Sequence, residues 1–463
     1  MVNRPGAILI AVMVLTALSS VLVGSLLFRM HAEVSASGAS LRGEQAYAAA
    51  YSGISRAMTL AGGDDWYDNP ELLHNQFVYD DGVNKWYFTI YAHDPTDPED
   101  IRNGLTDVAA CIDVNTADAE TLSALPGMSP ELVDALLDYR DEDDAPNPQG
   151  AEQDYYDQLT RPYLIPNGPL GSVEELLMVK GFTGAVVYGE DANLNGILDA
   201  NEDDGDDSFP PDNRDGVLDR GLLGFLAVRP ESGVKEGDHV NILKADREEL
   251  EEVGLPQETV QFILIVRQEN PVEEAEDGPM RTEGPLAHQS SLLEATYELR
   301  EDHEDFGLQA GTTIESGVGA DELPIVMEHL RVGEAGDGSG VVNVHTASVE
   351  VLATLAEVDE YLAQRIVDHR SGLSAEQRRT IAWLYTTGAV DAEQFKRIAP
   401  YLTTQSNRYR VRSLGFGVPN GHFCALEAVI DTSGRRPRVV RLRDITRLGL
   451  PFVPDVEELR RES

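Results

Sequence analysis

The stretch MVNRPGAILIAVMVLTALSSVLVGSLLFRM, residues 1–30, decides how the rest of the chain is read. From Ala7 to Phe28 it carries no charge and is mainly apolar. Those roughly 22 residues, as one helix, cross the ~30 Å hydrocarbon core of a bilayer. A secretory signal has a shorter apolar region and a small-x-small cleavage site after it. Here the processing-type junction, Gly6-Ala7, comes before the apolar run, with Arg4 ahead of it. The layout predicts that residues 1–6 are a leader and that the apolar helix stays on the mature chain. A plain one-pass anchor is the alternative reading of the same residues.

Past Arg29 an apolar stripe continues at helical spacing through Val34, Leu41, Ala48, Tyr51, Ile54 and Met58, with no Pro between 31 and 60. One long helix over 7–60 follows, stopped by Gly62-Gly63. Phe77–Tyr79 and Trp86–Tyr91, joined by Asp80-Asp81-Gly82, read as a β-hairpin. The next 300 or so residues are helical and loop-rich. Strands resume at 409–416, 423–430 and 438–442, the last two joined by Asp431-Thr432-Ser433-Gly434. A sheet begun before residue 95 and finished after 405 makes the middle of the chain an insertion.

Charge narrows the function. Basic residues number 36 against 81 acidic ones, a formal net charge of −45. Such a surface repels phosphate backbones and anionic lipids and favours hard cations, which carboxylates bind through oxygen. The 463 residues, 42% of them apolar, suffice for several domains with real cores. Two cysteines, Cys111 and Cys424, exclude a disulfide scaffold; one bridge and two buried thiols fit the sequence equally. Arg4 and the free amine before the helix, and an acidic body after it, put the N-terminus in the cytoplasm and the bulk outside, with Arg29 as the contrary residue. The ten histidines form no His-Glu-x-x-His motif, and neither a Gly-x-Ser-x-Gly elbow nor a phosphate-binding glycine loop occurs, so the sequence points away from an enzyme.

The insertion repeats a phrase. Ile112-Asp-Val-Asn-Thr-Ala117, Val240-Asn-Ile-Leu-Lys-Ala245 and Val342-Asn-Val-His-Thr-Ala347 each run from an extended segment into a short helix. Thr or Asp near the start caps it, and a second amphipathic helix follows, over 132–139, 260–267 and 362–369. The pattern resembles the helix-hairpin-helix unit, whose usual client is the nucleic-acid backbone. Backbone binding needs cations, whereas the first repeat runs into Asp141-Glu142-Asp143-Asp144 and the second is crowded by Glu248, Glu249, Glu251 and Glu252. A helical packing module, with no nucleic acid bound, is the reading these charges favour.

Asp191 to Glu202 fits the twelve-residue EF-hand loop. Oxygen side chains stand at Asp191, Asn193, Asn195 and Asp199, Gly196 allows the turn, Ile197 offers its carbonyl, and Glu202 closes the loop as a bidentate ligand. Calcium is the expected ion. Asp212, Asn213, Asp215 and Asp219 echo the grammar, although Pro211 and Leu222 occupy two of the ligand positions. A third acidic patch, Asp141, Asp143 and Asp144 with Glu152 and Asp154, has no fixed spacing and reads as a charged loop.

Taken together, the chain resembles the general secretion pathway protein K family, minor pseudopilins of type II secretion systems. The resemblance rests on the Gly6-Ala7 junction, which is laid out like a prepilin leader, the Trp86–Tyr91 strand and Ile112–Ala117. It continues through Leu137-Asp-Tyr-Arg-Asp-Glu-Asp-Asp-Ala-Pro146, Asp154-Tyr-Tyr156, Ser172–Gly181 and Tyr401–Ser406. It implies an α+β fold: a long N-terminal membrane-spanning helix on a pilin-like antiparallel sheet domain, with a large mainly helical insertion. The expected division is a leader at 1–6, a helix at 7–60 (7–28 in the membrane), the first part of the pilin-like domain at 61–110, the insertion at 111–405, closing strands at 406–450 and a tail at 451–463. The resemblance also implies cleavage by prepilin peptidase, methylation of the new amine, calcium binding and a place at the tip of a periplasmic pseudopilus. Partners would be other minor pseudopilins and the inner-membrane platform. Counted from Ala7, the fifth residue is Ala11, where most pilin-like subunits carry a Glu that pairs with a neighbour's amine. A subunit without it suits the first place in line. The segments at about 183–230 and 271–340 exceed what the resemblance leads one to expect. A membrane-anchored helix-hairpin-helix component of DNA uptake is the rival, distinguished by a basic patch that the sequence does not display.

Overall fold

The computed structural model describes residues 5–61, 69–93, 101–194, 196–228, 239–270, 285–333, 341–404, 406–434 and 436–454. The chain forms two compact units, Met1–Ala92 with Val411–Ala428 and Leu442–Ser463, and His93–Arg410 with Val429–Arg441. The expected Gly62-Gly63 stop and most of the linker at 333–340 lie outside the described residues.

In the first unit α1 runs from Pro5 to Leu60. At ~1.5 Å per residue it is about 84 Å long, well beyond the thickness of a bilayer. Its N-terminal half exposes large apolar side chains, among them Leu15, Leu22 and Phe28, and is long and apolar enough to span a membrane. The other half buries Ala46, Ala49, Ala50, Ile54 and Ala57, three and four apart on one face. That face is made of small residues because the sheet comes very close. A Cβ on Gly415 would sit 2.2 Å from the Ala50 nitrogen and 2.3 Å from the Ala46 carbonyl oxygen. One on Gly53 would sit 2.1 Å from the Ser413 hydroxyl and 2.9 Å from the Phe88 ring.

The sheet contains β1 (Gln76–Asp80), β2 (Lys85–His93), β3 (Arg408–Val418), β4 (Phe423–Asp431) and β5 (Arg438–Asp444), in the order β1-β2-β3-β4-β5. β1 and β2 pair antiparallel through a turn in which Asp81 accepts from Val83 N, Asn84 N and the Trp86 indole. β2 and β3 pair antiparallel from Arg412↔Tyr91 to Val418↔Lys85. Cys424 is buried and Cys111 half-buried, both as free thiols.

In the second unit the repeated phrase becomes three modules. The pairs are α2 (Ala119–Ser123) with α3 (Pro130–Arg140), α4 (Arg247–Glu252) with α5 (Gln257–Glu269), and α6 (Val349–Leu352) with α7 (Glu360–Arg370). The caps are Asp118 and Asp246, as the expected Thr or Asp allows, and in the third copy Ser348. In the first copy Thr116 N and Ala117 N already close a turn on the Asp113 carbonyl, which delays the helix start. Each module is closed by a two-residue strand, parallel to the opening one, that sequence reading does not find: Leu226–Ala227, Leu330–Arg331 and Leu402–Thr403.

One arginine recurs at the same place in all three. Arg140 donates to the carbonyls of Val114 and Ala117, Arg267 to those of Ile242 and Ala245, and Arg370 to those of Val344 and Ala347. Each ties the end of a second helix to the turn that precedes the first. The hairpin turns place a left-handed residue at matching positions, Gly127 (φ +76°), Gly254 (φ +88°) and Glu357 (φ +67°). Residues 285–333, unpatterned in sequence, form an antiparallel pair, Thr296–Glu298 with Thr313–Glu315, and a helix, Leu323–His329.

Arg267→Met strips the Ile242 and Ala245 carbonyls of a charged donor and is expected to cost the second unit about 2–3 kcal/mol in urea denaturation. Gly415→Ala is expected to cost the first unit about 1–3 kcal/mol, because backbone rather than a flexible side chain stands in the way.

Candidate cation sites

The carboxylates of Asp141, Asp143 and Glu152 converge, with one oxygen from each within 4.8 Å of the others. Helix α3 ends at Arg140, whose side chain turns inward to its clamp, so Asp141 opens the loop. Asp138, fully buried one turn earlier, accepts from Asn147 N and, at 2.6 Å, from the Asn147 amide nitrogen. Asp134 accepts from Gln149 N at 2.9 Å. Gly150 packs so tightly that a Cβ would lie 1.8 Å from the Asp138 carboxylate. The loop is thereby folded back, and Glu152 swings in opposite Asp141.

Glu152 is 7% exposed, and neither of its carboxylate oxygens has a hydrogen-bond partner; the same holds for one buried oxygen of Asp141. Burying an unpaired carboxylate beside others is costly unless a cation joins them. Oxygens that share one calcium ion at about 2.4 Å lie no more than about 4.8 Å apart. The spacing and the bare oxygens fit an oxygen-ligated divalent cation. Burial, and then the charges of Asp138, Asp141, Asp144 and Asp143, push Glu152 up to about 7. Asp141 is raised by burial and then by Asp143 and Asp138. Asp144 instead faces Asn167, and Asp154 stands outside the convergence.

The expected loop at 191–202 closes on itself. Glu202, 1% exposed, accepts from Ala192 N and Asp199 N, each at 3.0 Å, so its carboxylate lies across the loop. Asp191 accepts from Gly196 N at 2.9 Å, and the Asn193 amide donates to Asp199 at 2.6 Å. Gly196 takes φ +74°, the turn that its position demands. Ile197 follows it in the loop, and Asn195 lies outside the described residues. Burial is the main cause that raises Glu202.

The second acidic loop packs beside it through Glu190, which sequence reading missed. Buried at 7% exposure, Glu190 accepts from Asn213 N and Asp219 N at 3.3 Å each. Asp212 accepts from Asp204 N, Gly205 N and Arg214 N, Asp215 from Val217 N and the Asn213 amide, and Asp219 from Gly221 N. These side chains organise turns. Gly6 and Ala7 fall in the first turn of α1.

The class of protein so defined is an α+β chain, with a helix of membrane-spanning length, an antiparallel sheet and a modular, acid-rich insertion. Residues 115–188, which hold Asp141, Asp143 and Glu152, match the family model described as type II secretion system (T2SS), protein K, and the chain resembles that family. No curated protein matches the chain. Among solved structures, "The Crystal Structure of the GspK-GspI-GspJ complex from enterotoxigenic Escherichia coli Type 2 Secretion System" matches at 13% identity and a TM-score of 0.36, over 89% of this chain and 99% of that one. The loops at 191–219 fall outside the family match.

The raised Glu152 gives a sign for pH dependence. The folded chain holds its proton up to about 7, against an ordinary 4.5. In chelator, the Glu152 contribution to stability is therefore greatest below the ordinary value and is lost as pH rises towards the folded one, at up to about 1.4 kcal/mol per pH unit. Urea denaturation across that window is expected to show a flatter curve for Glu152→Gln, by the equivalent of one proton.

Proposed function

We propose that this chain is a non-enzymatic minor pseudopilin of a type II secretion system. The observation that carries the reading is the protein K family match over 115–188, in a chain whose α1 is long and apolar enough for a membrane anchor. Prepilin peptidase cuts between Gly6 and Ala7, and the exposed amine is methylated. The Ala7–Phe28 segment then holds the subunit in the inner membrane as a single pass, N-terminus cytoplasmic and bulk periplasmic, until it assembles with other minor pseudopilins and the inner-membrane platform. Ala11, where a pairing Glu would otherwise stand, supports a place at the tip, and from there a role in moving proteins across the outer membrane.

Calcium is the ion this reading assigns to Asp141, Asp143 and Glu152, and to the loop of Asp191, Asn193, Asn195, Ile197, Asp199 and Glu202. Its role is to join carboxylates that otherwise repel, so it acts on stability rather than on a reaction. Asp212, Asn213, Asp215 and Asp219 support the second loop. Nucleic acid is not a partner in this reading, since the arginines in the last turns of α3, α5 and α7 are engaged with carbonyls.

The mass of the N-terminal peptide from the native host tests the class: a start at methylated Ala7, absent in Gly6→Val, is expected, and an intact Met1 would overturn the leader. For the cation, millimolar calcium is expected to raise the Tm of the full chain in detergent. Glu152→Gln should lose part of that rise, while an unchanged response would remove Glu152 from the ligand set.

A further inference from the structure

The strongest departure from the chain's charge lies at its C-terminal strands. Between Arg408 and Arg447 there are nine arginines against three carboxylates, in a chain of net charge −45. Several of these stand in or beside β5, which ends the sheet order, with no strand beyond it among the described residues. Its outer edge is a row of backbone donors and acceptors of the kind that templates another strand.

The side chains on β5 are unusual for an edge. Val440 and Leu442 are 51% and 41% exposed, and Arg436, Arg438 and Arg441 are exposed as well. Arg438 contacts Asp431 at 2.7 Å and still keeps 72% of its side chain in solvent; Arg441 reaches Glu174 at 3.5 Å and keeps 48%. Charge alone commonly serves to protect an edge from association. An edge built only to repel would not also present two large aliphatic side chains. The opposite end of the sheet contrasts with it, since β1 is broken by a bulge between Phe77 and Tyr79 and ends in Asp80.

We propose that the outer edge of β5 is a docking surface that takes an extended acidic segment of a partner polypeptide as a further strand. Main-chain hydrogen bonds supply the affinity, Val440 and Leu442 are covered, and the arginines select carboxylates over ammonium groups. The partner is identified by its chemistry, a strand in which acidic and β-branched residues alternate. The net charge of this chain makes a second copy a poor occupant.

The test uses the full chain in detergent micelles at low salt, with a fluorescent ten-residue peptide of alternating Glu and Val as probe. Saturable binding at least tenfold tighter than that of a Lys-Val peptide is expected, with slowed amide exchange at 438–444. The double substitution Arg436→Glu/Arg441→Glu should weaken it at least tenfold while leaving circular dichroism unchanged. A Glu-Val peptide methylated on alternate backbone nitrogens should not bind. Equal binding of the Lys-Val peptide, unaltered exchange, or full binding of the N-methylated peptide would each overturn strand addition. Protection of the same amides that grows with protein concentration and no peptide would overturn the partner in favour of a second copy.

Discussion

Three arginines hold the insertion together. Each module places a guanidinium at the end of its second helix, against the carbonyls of the turn before its first. A charged donor shared between two acceptors adds a directional restraint to the packing of the hairpin. α2 and α6 have only five and four residues. Helices that short have no stability of their own. The clamp and the parallel closing strand turn each into a defined unit, and what lies between hairpin and closing strand is then free to vary. The acidic loops occupy that region of the first module.

That arrangement explains what the sequence reveals and what it hides. Long periods are legible: α1, the hairpin of β1 and β2, and the three closing strands of the sheet all announce themselves by spacing. So does the phrase at 112–117, 240–245 and 342–347, because its strand-turn-helix chemistry is local. Closing strands of two residues carry no period, and nothing in Leu226-Ala227 or Leu402-Thr403 distinguishes them from loop. In the first copy the choice between Thr116 and Asp118 as cap is settled only by the turn on Asp113, which takes up Thr116 and Ala117.

The cation candidates show the same division. Asp191 to Glu202 is legible because its loop grammar is consecutive in sequence. The convergence of Asp141, Asp143 and Glu152 is not, because its geometry is set by Asp138, buried inside α3, and by Gly150, where no side chain fits. Irregular spacing reads as a charged loop until those two residues are seen to fold it back. Glu190 is hidden for a similar reason, as its role is to accept amides from the following loop rather than to stand in a motif.

The close contact of Gly415 with the Ala46–Ala50 stretch has a consequence for the order of events in the cell. The strand that pairs with β2 is synthesised roughly 330 residues after it, which at ~5–20 residues per second is about 16–65 s. For that interval α1 has left the ribosome with its small-residue face uncovered. Loop-closure entropy rises only with the logarithm of length, and the insertion, once folded, shortens the effective loop further. The chain must therefore tolerate a waiting state, in which anchoring precedes completion of the sheet by tens of seconds. Alanine and glycine suit such a delay: a face without large apolar groups gives little purchase to wrong partners.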